Sequence, residues 1–443
     1  MRLACLVISC VASAAFAQWD PFNGDWSKAD DAQIRVMTWN VQDCICSSST
    51  RKFDSISDWN ATVRIVAAMR PDVLILQETG DNSGNGTGSG VDSVSELLTT
   101  LDLFLHGGND PFNGNTAVTS YVQKFAPDYD LPHLFVSATT DGFNRNVVLS
   151  RHPFADLDGD GTSQISNPIF IPDEYAPGGS GGIRGFQFAE IDLPDGTYEG
   201  DLVVGNAHLK SGGTSDDQSQ RLNASRNIAY LLQYQYNGNG TGSADPNGAV
   251  IVPSASNILD PATPVVLGGD WNEDESSNGR RGPAEWMTRA EGLSNDGTDR
   301  DGTDAVWDSA SNIFNGDTDT RGASKLDYLA WQDSIATGAT QFIFDSRDLT
   351  SNAMPPEFDG FPITGTTLSG LASDHLPVIV DFDLPLLAVC PADWNGDTVL
   401  DIFDVLAFLG DFQGGSLNAD ITGDGLLDIF DVLAYLGLFE AGC

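Results

Sequence analysis

The chain has few basic residues. Only 21 Lys and Arg, five of them Lys, stand against 63 Asp and Glu, so the formal net charge is −42. No basic stripe is present to hold a nucleic-acid backbone or an anionic membrane electrostatically. Hydrophobic residues make up 41% of the 443 residues, which supplies a core and excludes disorder over the whole chain. This length predicts two or three domains, or one large domain with a small module.

Long apolar runs are also missing after residue 16. No later stretch reaches about 18 apolar residues, so we expect no membrane span. The apolar run over 3–16 follows Arg2 and ends in Ala-Phe-Ala before Gln18. This pattern is typical of a secretory signal peptide. We therefore predict a signal peptide over residues 1–17 and a mature protein that is secreted, outside the cell or at its surface.

Cysteine is scarce, and two of the six cysteines leave with the signal peptide. Cys390 and Cys443 bracket the final segment and are its only cysteines, so we predict a disulfide between them. Cys44 and Cys46 are left either to pair with each other or to stay as thiols. A disulfide in a C-x-C sequence closes a tight, strained ring, and two small buried residues are an equally good interpretation.

Between residues 18 and 386 the chain alternates short apolar runs with helical patterns and polar loops. This alternation predicts one layered domain in which helices cover sheets. Strands are predicted at 34–40, 72–77, 146–150, 202–208, 264–267 and 377–381, and helices at 60–69 and from Ser215 onward.

The segment 390–443 carries an internal repeat offset by 27 residues. Oxygen-bearing side chains recur at positions 1, 3, 5, 9 and 12 of two loops: Asp393, Asn395, Asp397, Asp401 and Asp404, then Asp420, Thr422, Asp424, Asp428 and Asp431. With a backbone carbonyl at position 7, this is the ligand pattern of a calcium loop. The segment has ten acids and no Lys or Arg, so without a cation it would repel itself. We predict Ca²⁺ in both loops.

The tandem loops, each with Asp at its twelfth position and one helix after it, resemble dockerin modules. The Cys-Pro-Ala-Asp start and Gly-Cys end are similar to the GC-type dockerin-like anchor of exported bacterial proteins. The resemblance implies a small α-helical, EF-hand-like module that docks to a cohesin-like or cell-surface partner. A further partial loop over 156–161 has Asn167 at its twelfth position, and the sequence favours a turn-rich loop there over a calcium site.

Polar side chains also recur where apolar runs end or beside them. They are Asn40, Glu78, His208, Asp270, Asn272, Asp327, Asp374 and His375. Hydrolysis of a phosphodiester requires a divalent metal to neutralise the phosphate, a base to activate water and an acid for the leaving oxygen. One such residue alone indicates little. Six motifs in fixed order, with two of the five histidines among them, favour a single catalytic site.

This ordered set resembles the endonuclease/exonuclease/phosphatase superfamily, to which pancreatic deoxyribonuclease belongs. The resemblance covers residues 33–384, and its most specific parts are Asp-x-Asn at 270–272 and Ser-Asp-His at 373–375. It implies an α/β fold, a four-layer sandwich of two packed mixed β-sheets flanked by helices. It also implies metal-dependent hydrolysis of phosphoric esters.

The resemblance implies a metal site at Glu78, helped by Asn40 and Asp374. Mg²⁺ is the implied cofactor, with Mn²⁺ as the alternative, because the ligands are hard oxygens. Some relatives carry a carboxylate two residues after the strand-ending Asn, whereas this chain has Gln42. The number of catalytic metals, one or two, therefore stays open.

The resemblance also implies the proton-transfer groups. His208, oriented by Asp327, would work with His375 in acid–base transfer and in holding the phosphate. Asp270 and Asn272 would orient the attacking water and a phosphoryl oxygen. A carboxylate beside an imidazole fixes its tautomer and stabilises its charged form.

Three substrate interpretations remain open at this point. An extracellular nuclease is favoured, because secreted members with this motif spacing are mostly nucleases. The strongly acidic composition argues against tight duplex binding at low salt, which supports a sugar- or lipid-phosphate phosphoesterase as the alternative. A non-catalytic surface or adhesion protein is the third, and the clustered histidines and carboxylates argue against it, since unpaired clusters cost stability.

Overall fold

The computed structural model describes residues 19–80, 90–140, 142–166, 185–236, 255–280, 282–288, 307–361, 365–387, 390–397 and 399–442. The chain divides into two compact units, Met1–Pro194 with Gly200–Pro385, and Asp195–Glu199 with Leu386–Cys443. The predicted signal peptide, Asn167 and Cys443 lie outside the described residues, so the signal peptide and the Cys390–Cys443 disulfide stay predictions. Cys44 and Cys46 are buried thiols with no disulfide between them.

The larger unit is built on two β-sheets. A six-stranded sheet has the order β12-β13-β1-β2-β6-β5 and a five-stranded sheet has the order β11-β10-β9-β8-β7, while β3 and β4 form a separate pair. The strands are β1 Ile34–Asn40, β2 Val73–Thr79, β3 Asn109–Asp110, β4 Thr116–Ala117, β5 His133–Val136, β6 Arg145–Ser150, β7 Gln164–Ser166, β8 Phe186–Ile191, β9 Leu202–Ala207, β10 Val265–Asp270, β11 Asp327–Trp331, β12 Thr337–Ile343 and β13 Val378–Asp383.

Helices cover the outer face of each sheet. They are α1 Asp58–Met69, α2 Val94–His106, α3 Val122–Phe125, α4 Ser215–Leu231, α5 Pro283–Thr288 and α6 Leu368–Ala372. Trp39 of β1 and Leu76 of β2 pack in one buried cluster with residues of α1, α2 and α6. Leu267 of β10 packs in a second cluster with Ile228 of α4 and Met287 of α5.

The inner faces of the two sheets pack against each other with no room for an extra side chain at Gly268 in β10. A Cβ at Gly268 would lie 2.8 Å from Leu329 of its own sheet and 3.0 Å from Ile75 of the other sheet. The two sheets contact each other and helices cover their outer faces. This arrangement confirms the predicted mixed α/β sandwich. Of the described residues, no helix has the length and apolarity to cross a membrane.

The local sequence explains where β1 and α4 form. The run predicted as a strand over 34–40 is β1, and it is buried on both faces. The helix predicted to open at a Ser215 cap is instead capped by Thr214, whose side chain accepts from the backbone N–H of Asp217 while the Asp217 side chain bonds back to Thr214. This reciprocal pair satisfies two donors that would otherwise have no partner.

The smaller unit contains two helices, α7 Ile402–Gly414 and α8 Ile429–Ala441. Each helix follows one of the predicted loops and begins with a capping box, Asp401 with Asp404 in the first and Asp428 with Asp431 in the second. Phe408 of α7 stacks on Tyr435 of α8, with ring centroids 4.0 Å apart and planes 6° apart. Aromatic stacking therefore forms the small core of this unit.

Candidate active site

The carboxylate of Asp270 is the meeting point of the site. Asp270 ends β10, and its Oδ2 lies 3.4 Å from Nε2 of His208, which follows the parallel strand β9. The same oxygen lies 3.7 Å from Nε2 of His375 and accepts a 3.0 Å hydrogen bond from the amide of Asn40, which ends β1. Side chains predicted from three distant motifs thus converge on one buried oxygen.

Glu78 reaches the same centre from β2, which runs parallel to β1. Its Oε1 lies 3.7 Å from Nε2 of His208, and its side chain is 18% exposed. The backbone of Glu78 is left-handed, with φ of 55°, and the pairing of β2 with β6 shifts register between Leu76 and Thr79. Such an irregularity redirects a side chain and is common beside active sites.

Asp327 contacts His375 instead of His208. Its Oδ2 lies 2.8 Å from Nδ1 of His375, and both residues are buried. Asp327 stands directly opposite Asp270 in the antiparallel pair β10–β11, which places both carboxylates against the same imidazole. The predicted orientation of His208 by Asp327 is therefore wrong, because strand pairing, which the motifs do not reveal, decides which histidine Asp327 reaches.

His375 is held from several sides. Its backbone N–H donates to Ser373 Oγ, and that hydroxyl donates to the carbonyl of Asn40. Its carbonyl accepts from the indole N–H of Trp39 at 2.9 Å. The ring is thus fixed relative to β1 before any substrate enters, which is the preorganisation that a catalytic group requires.

The surroundings shift the pKa of His375 upward and the pKa of Asp270 downward. Burial lowers the pKa of His375, but the charges of Asp327 and Asp270 outweigh burial and raise it to about 9, so the ring is cationic at neutral pH. Burial raises the pKa of Asp270, yet the charge of His375 and the hydrogen bonds from His208 and Asn40 hold it well below its usual value. Asp270 is therefore an anion between two imidazoles.

Asp374 lies at the exposed edge of the site and pairs with Arg321, a residue that the sequence motifs do not reveal. Arg321 donates from Nε at 2.9 Å and from Nη2 at 2.6 Å to Oδ2 of Asp374. The backbone N–H of Asp374 donates to the side-chain oxygen of Gln42 at 3.2 Å. A single Arg in a polar loop carries no motif, so only the folded arrangement reveals it.

Asn272 shapes the loop beside Asp270. Its backbone is left-handed, with φ of 57°, and its N–H donates to Oδ1 of Asp270 at 2.9 Å. Its side-chain amide donates to the carbonyl of Leu209 at 3.1 Å. The Asp-x-Asn motif thus joins the β10 end to the chain that follows β9.

The donor set fits a divalent cation. One carboxylate oxygen of Asp270 and one of Asp327 lie within 4.8 Å of each other beside His375, whose cationic ring has no lone pair to offer a metal. Glu78 adds a partly exposed carboxylate beside them. The Oδ1 atom of Asp327 is buried without a hydrogen-bond partner among the described residues. Hard oxygen donors in excess of the local positive charge are what a divalent metal requires.

A two-sheet α/β sandwich with acids and imidazoles gathered at its strand ends defines a metal-dependent hydrolase site. The chain belongs to the Endonuclease/Exonuclease/phosphatase family, whose sequence model matches residues 37–375. It is accordingly a metal-dependent phosphoester hydrolase. No curated protein matches the chain in sequence.

Solved structures with a similar fold include the endonuclease/exonuclease/phosphatase of Beutenbergia cavernae, at 17% identity and a TM-score of 0.43 over 80% of this chain and 72% of that one. Sphingomyelinase C of Streptomyces griseocarneus has 15% identity and a TM-score of 0.37 over 79% and 99%. TDP2 of D. rerio, complexed with a single-strand DNA product, has 13% identity and a TM-score of 0.38 over 80% and 100%. These scores are low, so the family assignment depends on the sequence match.

Proposed function

We propose that this protein is a secreted nuclease that hydrolyses phosphodiester bonds with Mg²⁺ or Mn²⁺. The observation that carries the proposal is the placement of His208 and His375 on one carboxylate oxygen of Asp270, at 3.4 and 3.7 Å. Paired imidazoles around a buried anion supply both proton transfer and a positive charge for the phosphate.

The buried Asp327 fixes the role of His375. At neutral pH both ring nitrogens carry protons, Nδ1–H donates to Asp327, and Nε2–H faces Asp270. His375 therefore binds and stabilises the negative phosphoryl oxygens. His208 lies between Glu78 and Asp270 and moves a proton at its Nε2.

Asp270 stays anionic and accepts from Asn40, which suits it to orient an attacking water. Glu78 would hold the metal, with Asn40 and Asp374 as further oxygen donors. When bound, the cation neutralises charge that builds up on the phosphate during attack. Hard oxygen donors of this kind suit Mg²⁺, with Mn²⁺ as the alternative.

A substrate panel tests the nuclease assignment. With Mg²⁺ the purified chain should release acid-soluble nucleotide from DNA, and EDTA should abolish the release. Cleavage of bis-p-nitrophenyl phosphate, a sugar phosphate or a phospholipid without cleavage of DNA would contradict the nuclease assignment and retain the hydrolase class. The net charge of −42 favours this alternative, because it weakens attraction to a polyanion.

We propose that the smaller unit is a dockerin-like calcium module that attaches the secreted enzyme to a cohesin-like protein at the cell surface. Ligand atoms of Asp393, Asp397 and Asp404 lie within 4.8 Å of one another, which supports a calcium ion in the first loop. Apolar side chains are exposed at equivalent positions of both repeats: Ile402, Phe403 and Leu406, then Ile429, Phe430 and Leu433. Exposed apolar groups of this kind mark protein-docking surfaces.

The docking proposal is tested with the full chain. Calcium should raise the melting temperature of the smaller unit, and Asp404→Asn with Asp431→Asn should remove the rise. Phe403→Asp with Phe430→Asp should abolish binding to a cohesin-like domain with the calcium response retained. Unchanged binding would refute this surface as the docking site.

A further inference from the structure

A second acidic cluster lies in the larger unit, formed by residues that the proposed function does not use. It joins the loop over 156–161 to Glu190 of β8, and one ligand atom each from Asp156, Asp158 and Glu190 lies within 4.8 Å of the others. Asp158 and Glu190 are 0% and 1% exposed. Of the described Lys, Arg and His residues, none forms an ion pair with these three acids or with Asp160.

A buried carboxylate without a counter-charge has a high desolvation free energy in its charged form. It therefore either stays protonated or binds a cation. Burial and the charge of Asp158 raise the pKa of Glu190 to about 8. Burial and the charge of Asp160 raise the pKa of Asp158 to about 6. A bound divalent cation would stabilise the charged forms of Asp158 and Glu190, because it supplies the missing positive charge.

Gln235 provides an independent observation. It lies in a π-helical turn, Leu232–Tyr236, that extends α4, and its side chain is 1% exposed. Its amide points into the cluster, with Nε2 2.5 Å from Asp158 and 3.2 Å from Asp160, while its Oε1 is buried and has no hydrogen-bond partner among the residues that the structure describes. Rotation of this amide by 180° exchanges the two atoms and presents an oxygen to the acids.

We propose that Asp156, Asp158 and Glu190, with Asp160 and Gln235 beside them, bind a structural calcium ion. All five side chains offer oxygen, and a set of this number and spread suits the high, flexible coordination of Ca²⁺ better than the strict octahedron of Mg²⁺. The ion links the 156–161 loop, strand β8 and the end of α4. The sequence favours a turn at this loop because its twelfth position, Asn167, carries no carboxylate, whereas in the fold the additional carboxylate comes from Glu190.

Calcium titration of the EDTA-stripped full-length chain by calorimetry tests this site. Glu190→Gln removes a buried ligand, and Asp156→Asn removes an exposed one with little risk to folding. Each variant should bind one Ca²⁺ fewer per chain than the wild type, or bind it at least about tenfold more weakly. Asp31→Asn, an exposed acid outside the cluster, is the matched control and should bind as the wild type does.

Thermal melting separates ion binding from a folding defect. Without calcium, Glu190→Gln should melt no lower than the wild type, because it removes a buried acid. With calcium the wild type should gain more in melting temperature than either variant. An equal stoichiometry, affinity and calcium shift in all four proteins would overturn the proposal. None of these readouts uses hydrolysis, so this test stands apart from the substrate panel.

Discussion

Nδ1 of His375 lies 2.8 Å from Oδ2 of Asp327, with both side chains buried. This contact makes His375 the oriented, cationic histidine of the site, and it leaves His208 to contact Glu78 and Asp270. The two imidazoles therefore have different partners and different roles.

The Asp327–His375 contact predicts the effect of Asp327→Asn. The amide keeps the shape but no longer stabilises the imidazolium, so kcat should fall by roughly 100-fold or more with little change in KM. Steady-state kinetics on bis-p-nitrophenyl phosphate measure this. Asp308→Asn is the control, since Asp308 is a buried acid paired with Lys325 outside the site. A kcat within about twofold of wild type for Asp327→Asn would show that the contact is only structural.

Arg321 is expected to bind the substrate phosphate. Its side chain is 48% exposed at the rim, and a guanidinium suits two phosphoryl oxygens at once. Arg321→Met should therefore raise KM about tenfold with kcat nearly unchanged, and Arg321→Lys should recover part of the loss. Initial-rate kinetics across substrate concentration distinguish the two constants. An unchanged KM in Arg321→Met would contradict this role.

Glu275 predicts a pH dependence of stability. Burial raises its pKa to about 7, against the hydrogen bonds from Ala284 N–H and Asn278. The folded chain therefore keeps a proton that the unfolded chain loses near pH 4.5, so this group's contribution to the free energy of unfolding falls as pH rises from about 4.5 to 7.

Glu275→Gln should remove this fall, so the variant should gain roughly 1–2 kcal/mol relative to the wild type between pH 4.5 and 7. Urea unfolding at several pH values measures the difference. Glu199→Gln, at an exposed position, is the control for loss of one acid. A constant difference between Glu275→Gln and the wild type at all pH values would refute the prediction.

The sheet-to-sheet contact predicts intolerance at Gly268. A Cβ there meets Leu329 and Ile75 at 2.8 and 3.0 Å, so Gly268→Ala should destabilise the larger unit by about 1–3 kcal/mol. Gly213→Ala, with nothing within 4 Å of its Cβ, should change stability by less than about 1 kcal/mol. Thermal or urea unfolding compares them. Equal stability of the two variants would mean that the sheets separate easily at Gly268.

The sequence predicts secondary structure and site residues best where the signal is a local pattern of residues. The run over 34–40 is apolar enough to be read as a strand, and the Asn that ends it falls at the site because parallel strands end at one edge. Pairing between distant side chains carries no local pattern. Strand register therefore decided that Asp327 meets His375, and the single residues Arg321 and Glu190 had no motif to reveal them.

The most direct measurement is single-turnover cleavage of bis-p-nitrophenyl phosphate with Mg²⁺ by the wild type, His208→Ala, His375→Ala and the double variant. Circular dichroism confirms that each variant is folded. If both rings act on one phosphate at Asp270, each single variant should lose about a thousandfold or more in rate, and the double variant should lose little beyond that. Wild-type rates in either single variant, or losses that multiply in the double variant, would contradict a shared centre.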